Sequence, residues 1–167
     1  FPSVASKIVI THLASEFSRE WAYGTEIIPD RPYFLYVGSR AKAYKNFDTL
    51  LIAFAKAASI DPDLILCVVG ASFNAEEQQQ ITELKLIDRI QHYHHASDTH
   101  LAKLYRCSVA FVYPSLYEGF GIPPLVAMAC GTVVVAANSS SIPEVVGDAG
   151  ILFEPKAVED LADILLD

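Results

Sequence analysis

Two short segments carry the residue types that chemistry needs. The first is Gly38-Ser39-Arg40-Ala41-Lys42-Ala43-Tyr44-Lys45-Asn46. A glycine ends an apolar run, and three cations precede a helical pattern. Residues 31–56 hold five basic side chains, Arg31, Arg40, Lys42, Lys45 and Lys56, against Asp48 alone, a local charge of +4. Cations beside a helix N-terminus suit a phosphate or diphosphate. A solvated basic loop is the alternative. The second segment is Pro114-Ser115-Leu116-Tyr117-Glu118-Gly119-Phe120-Gly121-Ile122-Pro123-Pro124. Its glycines allow backbone to approach a ligand closely. The free N–H groups of the helix that follows point the same way. Glu118 is a carboxylate among apolar neighbours and needs partners. Sugar hydroxyls would supply them, and a local turn cap is the alternative.

Other candidates carry less. His92, His94 and His95 cluster in sequence, but no carboxylate or cysteine spacing completes a metal site, so no metal is expected. Asp98 and Glu144 read as helix caps. Cys67, Cys107 and Cys130 form no CxxC pair and sit in or beside apolar runs, so they read as small buried hydrophobes in a reducing compartment. There is no GxGxxG after the first strand, which argues against a dinucleotide oxidoreductase. No Ser-His-Asp or Cys-His arrangement is defensible from the spacing.

The elements that must position these residues alternate along the chain. Apolar runs fall at Ile8–Thr11, Phe34–Gly38, Leu64–Gly70, Ile90–Tyr93, Val109–Tyr113, Thr132–Ala136 and Gly150–Phe153. Several are continuously apolar, as strands are when both sheet faces are covered. Ile90–Tyr93, interrupted by Gln91 and His92, reads as nearer an edge. Between the runs, Phe47, Leu50, Leu51, Phe54 and Ala58 recur at helical spacing. Leu101, Leu104 and Tyr105 do so behind Ser97, a candidate N-cap, and Val158, Leu161, Ala162 and Leu165 form a third stripe. Residues 75–86 predict a more polar helix, and 123–129 a short one with proline in its first turn. Repeated strand–helix units predict an α/β fold: a Rossmann-like, doubly wound parallel sheet of about six strands with helices on both faces. Ligands bind such sheets at the carboxyl ends of the strands, where both chemistry-bearing segments lie. Residues 12–33 read as irregular.

Composition sets the outer bounds. The chain has 167 residues, 12 basic and 20 acidic, for a net charge of −8. That suits one domain over residues 1–167 and argues against general nucleic-acid binding. Apolar residues make up 52% and the mean hydropathy is +0.31, which excludes disorder and suggests that a partner surface covers part of the chain. The apolar stretches are too short or too broken by proline and glycine for a transmembrane segment. The start, FPSVASKIVITHL, has no signal-peptide pattern and no Met, so it reads as a piece of something longer.

Several ordered motifs together resemble one family. They are Glu118-Gly-Phe-Gly-Ile-Pro, Ala127-Met128-Ala129-Cys130-Gly131, Ser140-Ser141-Ile142-Pro143-Glu144-Val145 and Gly147-Asp148-Ala149-Gly150. With YVGSR…YKNFDTLLIAFA and SDTHLAKLYRCSVAFVYPS, they look like the donor-binding, C-terminal half of retaining GT-B glycosyltransferases of group 1, also called family 4. The resemblance covers the chain from about residue 30. It implies two Rossmann-like domains with a cleft between them, of which the N-terminal, acceptor-binding domain is absent here. It implies a nucleoside-diphosphate sugar, UDP- or GDP-linked, as donor substrate, with no cofactor and no metal. By the resemblance Gly38, Arg40 and Lys45 hold the diphosphate, the amides of Gly119, Phe120 and Gly121 meet phosphate or sugar, and Glu118 is the catalytic-site carboxylate that bonds hydroxyls of the transferred sugar. His95, or His94 beside it, lines the base pocket. The implied setting is cytoplasmic, with the full enzyme at most peripheral at a membrane surface.

Three departures matter. The family carries a second glutamate separated from the first by seven intervening residues, to grip the ribose, and here that place is Val126. Losing a charged hydrogen bond predicts donor binding weaker by about 1.5–3 kcal/mol. The spacer from Gly38 to Lys45 is one residue longer than in close relatives, which leaves Lys42 and Lys45 as alternatives for the phosphate. Thr132-Val133 stands where the family often has proline after threonine. The leading expectation is therefore the donor half of a sugar transferase, inactive on its own. A non-catalytic GT-B-like scaffold with a degenerate donor site is the alternative, and a GT-B epimerase is a weaker third.

Overall fold

A computed structural model describes residues 14–167. The expected strand at Ile8–Thr11 lies outside them. Six strands, β1 (Tyr33–Val37), β2 (Ile65–Val69), β3 (Ile90–Tyr93), β4 (Ala110–Tyr113), β5 (Val134–Ala137) and β6 (Gly150–Phe153), form one sheet in the order β3-β2-β1-β4-β5-β6. Every neighbouring pair is parallel. Six α-helices cover it: α1 (Phe47–Ile60), α2 (Ala75–Glu83), α3 (Asp98–Cys107), α4 (Ile122–Ala129), α5 (Ile142–Val146) and α6 (Val158–Ile164).

The unbroken apolarity of the central strands follows from this arrangement. Phe34, Tyr36, Leu66, Val68 and Val112 point to one face, where α1, α2 and α6 pack. Tyr33, Leu35, Cys67, Phe111 and Tyr113 point to the other, against α3, α4 and α5. Alternate side chains therefore enter two separate cores, so both registers must be apolar. β3 sits at the sheet edge and its residues are only half-buried, which explains its polar interruptions.

Chain order and strand order part company at one place. From β1 the chain crosses by α1 to β2 on one side, and from β3 it crosses by α3 to β4 on the other. The segments leaving the carboxyl ends of β1 and β4 lead there to helices on opposite faces, and the crevice that such a reversal makes is the usual ligand place in these sheets.

Some details differ from the sequence reading. Residues 19–23 form a 3-10 turn whose Ala22 is buried against the α3 core. Lys103 on α3 donates to the carbonyls of Gly24 and Glu26 at 2.9 and 2.6 Å, pinning the segment that follows. The helix expected over 75–86 stops at Glu83, because Lys85 turns left-handed (φ 58°). Glu144, read as a helix cap, lies instead inside the first turn of α5, whose N-cap is Ser141 and whose start signal is Pro143. Cys67 and Cys130 are buried as expected, whereas Cys107 is exposed at the end of α3. Thr132 serves the fold: its buried hydroxyl donates to the Tyr105 carbonyl at 2.5 Å, tying the segment between α4 and β5 to α3.

Candidate functional site

The crevice is built from backbone first. Gly38 ends β1 with φ 144°, which a side chain would strain, and a Cβ there would meet nothing within 4 Å. The chain then turns through a 3-10 segment at Ala43–Lys45 and reaches Asn46, left-handed at φ 55°, which starts α1. The turn is fastened to the loop after β4. Leu116 N–H donates to the Tyr44 carbonyl at 2.7 Å, and the Ser115 hydroxyl donates to the same oxygen at 3.3 Å. Asn46 Nδ2 donates to the carbonyls of Pro114 and Pro155 at 3.0 and 2.7 Å.

Those fastenings place Lys45 beside Glu118, with Nζ 2.7 Å from Oε1. The side chains are 19% and 15% exposed. Burial alone would raise the Glu118 pKa. The Lys45 ammonium, with the hydroxyls of Ser115 and Tyr113, more than offsets that and holds the carboxyl below its ordinary value. Glu118 is thus an anion held by a cation, and not a turn cap. Of the two candidate lysines, Lys45 faces this crevice. Lys42 lines a separate polar hollow of about 390 Å³ between the starts of α1 and α2.

Beside the pair, Gly119, Phe120 and Gly121 lead into α4. Among the described residues none of their three amides donates to a protein acceptor. A Cβ on Gly119 would meet nothing within 4 Å, and Gly121 is left-handed at φ 109°. Sequence reasoning credited the start of α4 with free N–H groups, but Pro123 and Pro124 have none to offer. The available amides come mainly from the glycine loop.

Arg40 is engaged elsewhere. Its side chain is 3% exposed, and the guanidinium pairs with Glu77 at 2.9 Å (Nε to Oε1). It lies 4.6 Å from the Phe73 ring centroid and donates from Nη2 to the Ala71 carbonyl. Glu77 in turn accepts from Asn74 N–H and donates its own N–H to Asn74 Oδ1, a reciprocal cap on α2. Arg40 Nη1 is buried with no partner among the described residues. A phosphate role for Arg40 would require it to exchange Glu77 for the ligand. The sequence signal for this clamp, Asn-x-x-Glu at a helix start, was present and unread.

Val126 is 8% exposed and packs in the core beneath α4. His95 is exposed on the loop after β3, two strands from β1 and so roughly 10 Å along the rim. His94 Nε2 pairs with the Ser72 hydroxyl at 2.8 Å. Ser97 caps α3 by accepting from His100 N–H, and Asp98 is the first residue inside that helix. Among the described residues, no group of three or more His, Cys, Asp or Glu is gathered as a metal site, and no helix is long and apolar enough to cross a membrane.

The family described as glycosyl transferases group 1 matches residues 18–167. The chain is 34% identical over 140 residues to O-antigen chain mannosyltransferase B of Escherichia coli, which covers 80% of this chain and 36% of that protein. Among solved structures, a sucrose-phosphate synthase from Thermosynechococcus elongatus is 31% identical with a TM-score of 0.68, over 81% of this chain and 36% of that one. The C-terminal domain of a glycosyl transferase group 1 family protein (LpcC) from Francisella tularensis is 25% identical with a TM-score of 0.70, over 91% of this chain and 82% of that one. The chain thus spans about a third of the full-length mannosyltransferase it matches.

Proposed function

The chain belongs to the glycosyl transferases group 1 family, and from that premise we propose that it is the donor-binding domain of a sugar transferase using a nucleoside-diphosphate sugar. The observation that carries this reading is the Lys45–Glu118 pair beside three unpartnered amides, at the point where the sheet order reverses. The ligand separates the pair: the diphosphate takes Lys45 and the amides of Gly119–Gly121, and sugar hydroxyls take Glu118. The base extends along the rim toward His95. Gly38 leaves the room that a diphosphate needs.

In the transfer, the bond from the anomeric carbon to the diphosphate oxygen breaks. A bond to an acceptor hydroxyl oxygen forms, with retention, and the hydroxyl proton ends on the departing diphosphate. Lys45 and the loop amides stabilise the charge that develops on that leaving group. The acceptor is held by a second domain outside this chain, so the chain alone binds donor without turnover.

One calorimetric experiment tests this. Wild type, Gly119→Ala and Val126→Glu are titrated with UDP, GDP and their glucose and mannose conjugates (mannose because of the transfer named for the E. coli relative). Wild type binds one series. Gly119→Ala stays folded, since its Cβ meets no protein atom, but loses at least about tenfold in affinity, because the methyl enters the crevice. A folded wild type that binds none of these at millimolar concentration sinks the donor reading.

The buried Val126 favours a second reading, a family scaffold whose donor site has decayed. It is distinguished in the same titration. If only Val126→Glu binds, the wild-type chain is the scaffold.

A further inference from the structure

The serine run Ser139-Ser140-Ser141, between β5 and α5, has no part in the site described so far. All three hydroxyls nevertheless converge on it. Ser139 Oγ donates to the Leu116 carbonyl at 2.5 Å and Ser140 Oγ to the Glu118 carbonyl at 2.7 Å. Ser141 Oγ shares its proton between the carbonyls of Glu118 at 3.0 Å and Phe120 at 2.8 Å. Three consecutive side chains cannot face one way on a strand or a regular helix. They do so here because Ser140 is left-handed, with φ 55°. That conformation is strained for a residue other than glycine, and it is kept beside a candidate site.

The carbonyls bound are those of residues 116, 118 and 120, alternate positions along one loop. Holding every second carbonyl fixes the peptide planes to which those carbonyls belong. Those planes carry the amides of Gly119 and Gly121, which are left without protein acceptors. They also fix the backbone from which the Glu118 side chain reaches Lys45. On the other flank, Leu116 N–H is tied to Tyr44. The loop is therefore gripped from both sides, with its ligand-facing groups between the grips.

We propose that Ser139, Ser140 and Ser141 are positioning residues, a hydroxyl clamp that presets the Glu118 side chain and the Gly119–Gly121 amides for the diphosphate and sugar of the donor. The ligand part of this rests on the donor-binding reading above. The clamp itself can be tested without it.

The test uses the whole chain as wild type, Ser140→Gly, the double variant Ser140→Gly/Ser141→Ala, and Ser141→Thr. Ser140→Gly removes a hydroxyl and relieves the left-handed strain, so its thermal unfolding stays at or above wild type. Amide hydrogen exchange at Glu118–Gly121 and the carbon-13 titration of the Glu118 carboxyl are then measured. The double variant exchanges at least about tenfold faster at these amides, and its Glu118 midpoint rises toward the ordinary carboxylate value. Ser141→Thr, which keeps the hydroxyl, stays near wild type in both. If wild type binds UDP- or GDP-sugars, the double variant binds them at least about tenfold more weakly. Unchanged exchange and an unchanged midpoint in the double variant overturn the clamp. If the double variant does not fold, Ser140→Gly alone decides by the same two readouts. Failure of wild type to bind any nucleotide sugar overturns the donor reading and leaves the exchange and titration results standing.

Discussion

Glu118 keeps its charge in a mostly buried place because donors surround it. Burial pushes its pKa up, and the Lys45 ammonium with the hydroxyls of Ser115 and Tyr113 brings it below the ordinary value near 4.5. A folded-state pKa below the unfolded one means a stabilisation present above about pH 4.5 and lost as pH falls through the lowered folded value. Glu118→Gln removes that contribution. At pH 7 the variant should be less stable than wild type by roughly 1.5–3 kcal/mol, the range for a hydrogen bond to a charged group. The gap should close as pH drops below about 4.5. Urea unfolding of both proteins from pH 7 to 3 measures it, and a gap independent of pH would show that the carboxylate is not held by Lys45 in solution. Glu118 and the glycines around it were legible in sequence, since a lone carboxylate among apolar residues needs a partner. The partner was not legible: Lys45 lies 73 positions away, and the bonds from Leu116 and Ser115 to Tyr44 and from Asn46 to Pro114 bring the two together.

At the scale of elements, strands were readable and junctions less so. Continuous apolarity marked β1, β2, β4 and β5 because each feeds two cores. The helices α1, α3 and α6 showed their buried stripes. α5 showed none because five residues are too few for periodicity to register. The serine clamp was missed because its geometry depends on one left-handed residue, and serine does not advertise a positive φ as glycine does. The clamp on α2 was within reach. Asn74 and Glu77 form a reciprocal cap whose second carboxylate oxygen holds Arg40, so this one helix end stabilises both α2 and the loop after β1. Asn74→Ala removes the cap and should lower stability by about 1 kcal/mol, with a range of 0.5–2. It should also loosen Arg40, which shares Glu77. Chemical denaturation measures the first effect. Arginine Nε–H exchange measures the second, and an unmoved Arg40 would mean that Glu77 holds it without help from the cap.

For the molecule as a whole, net charge conceals more than it reveals. The chain is −8 overall, yet residues 31–56 carry +4, and residues 144–167 carry seven acids against Lys156. Of the five cations in residues 31–56 only Lys45 stands at the crevice, because Arg31, Arg40 and Lys56 pair with Asp63, Glu77 and Glu159 and Lys42 lines a separate hollow. Apolar content likewise splits between two cores and a set of exposed side chains. Ile60, Val109, Val133 and Ile151 are exposed at the amino-end side of the sheet, around an apolar hollow of about 480 Å³. The two cores make a sharp prediction about the three thiols. Burial pushes Cys67 up to about 12 and Cys130 up to about 11, and both side chains are fully buried, whereas Cys107 is exposed. Since the thiolate is the reactive form, a disulfide reagent such as dithionitrobenzoate should modify one thiol per chain quickly in the native state. The other two should react only as fast as the sheet opens, and all three should react at once in denaturant. Cys67 lies in β2 between β1 and β3, so its rate reports opening of the sheet itself. A nucleotide sugar bound as proposed at the carboxyl ends of the strands should slow it by the factor 1 + [L]/Kd, because ligand that binds only the folded form stabilises every residue that opens with it. A Cys67 rate as fast as that of Cys107 would mean that β2 is not covered on both faces.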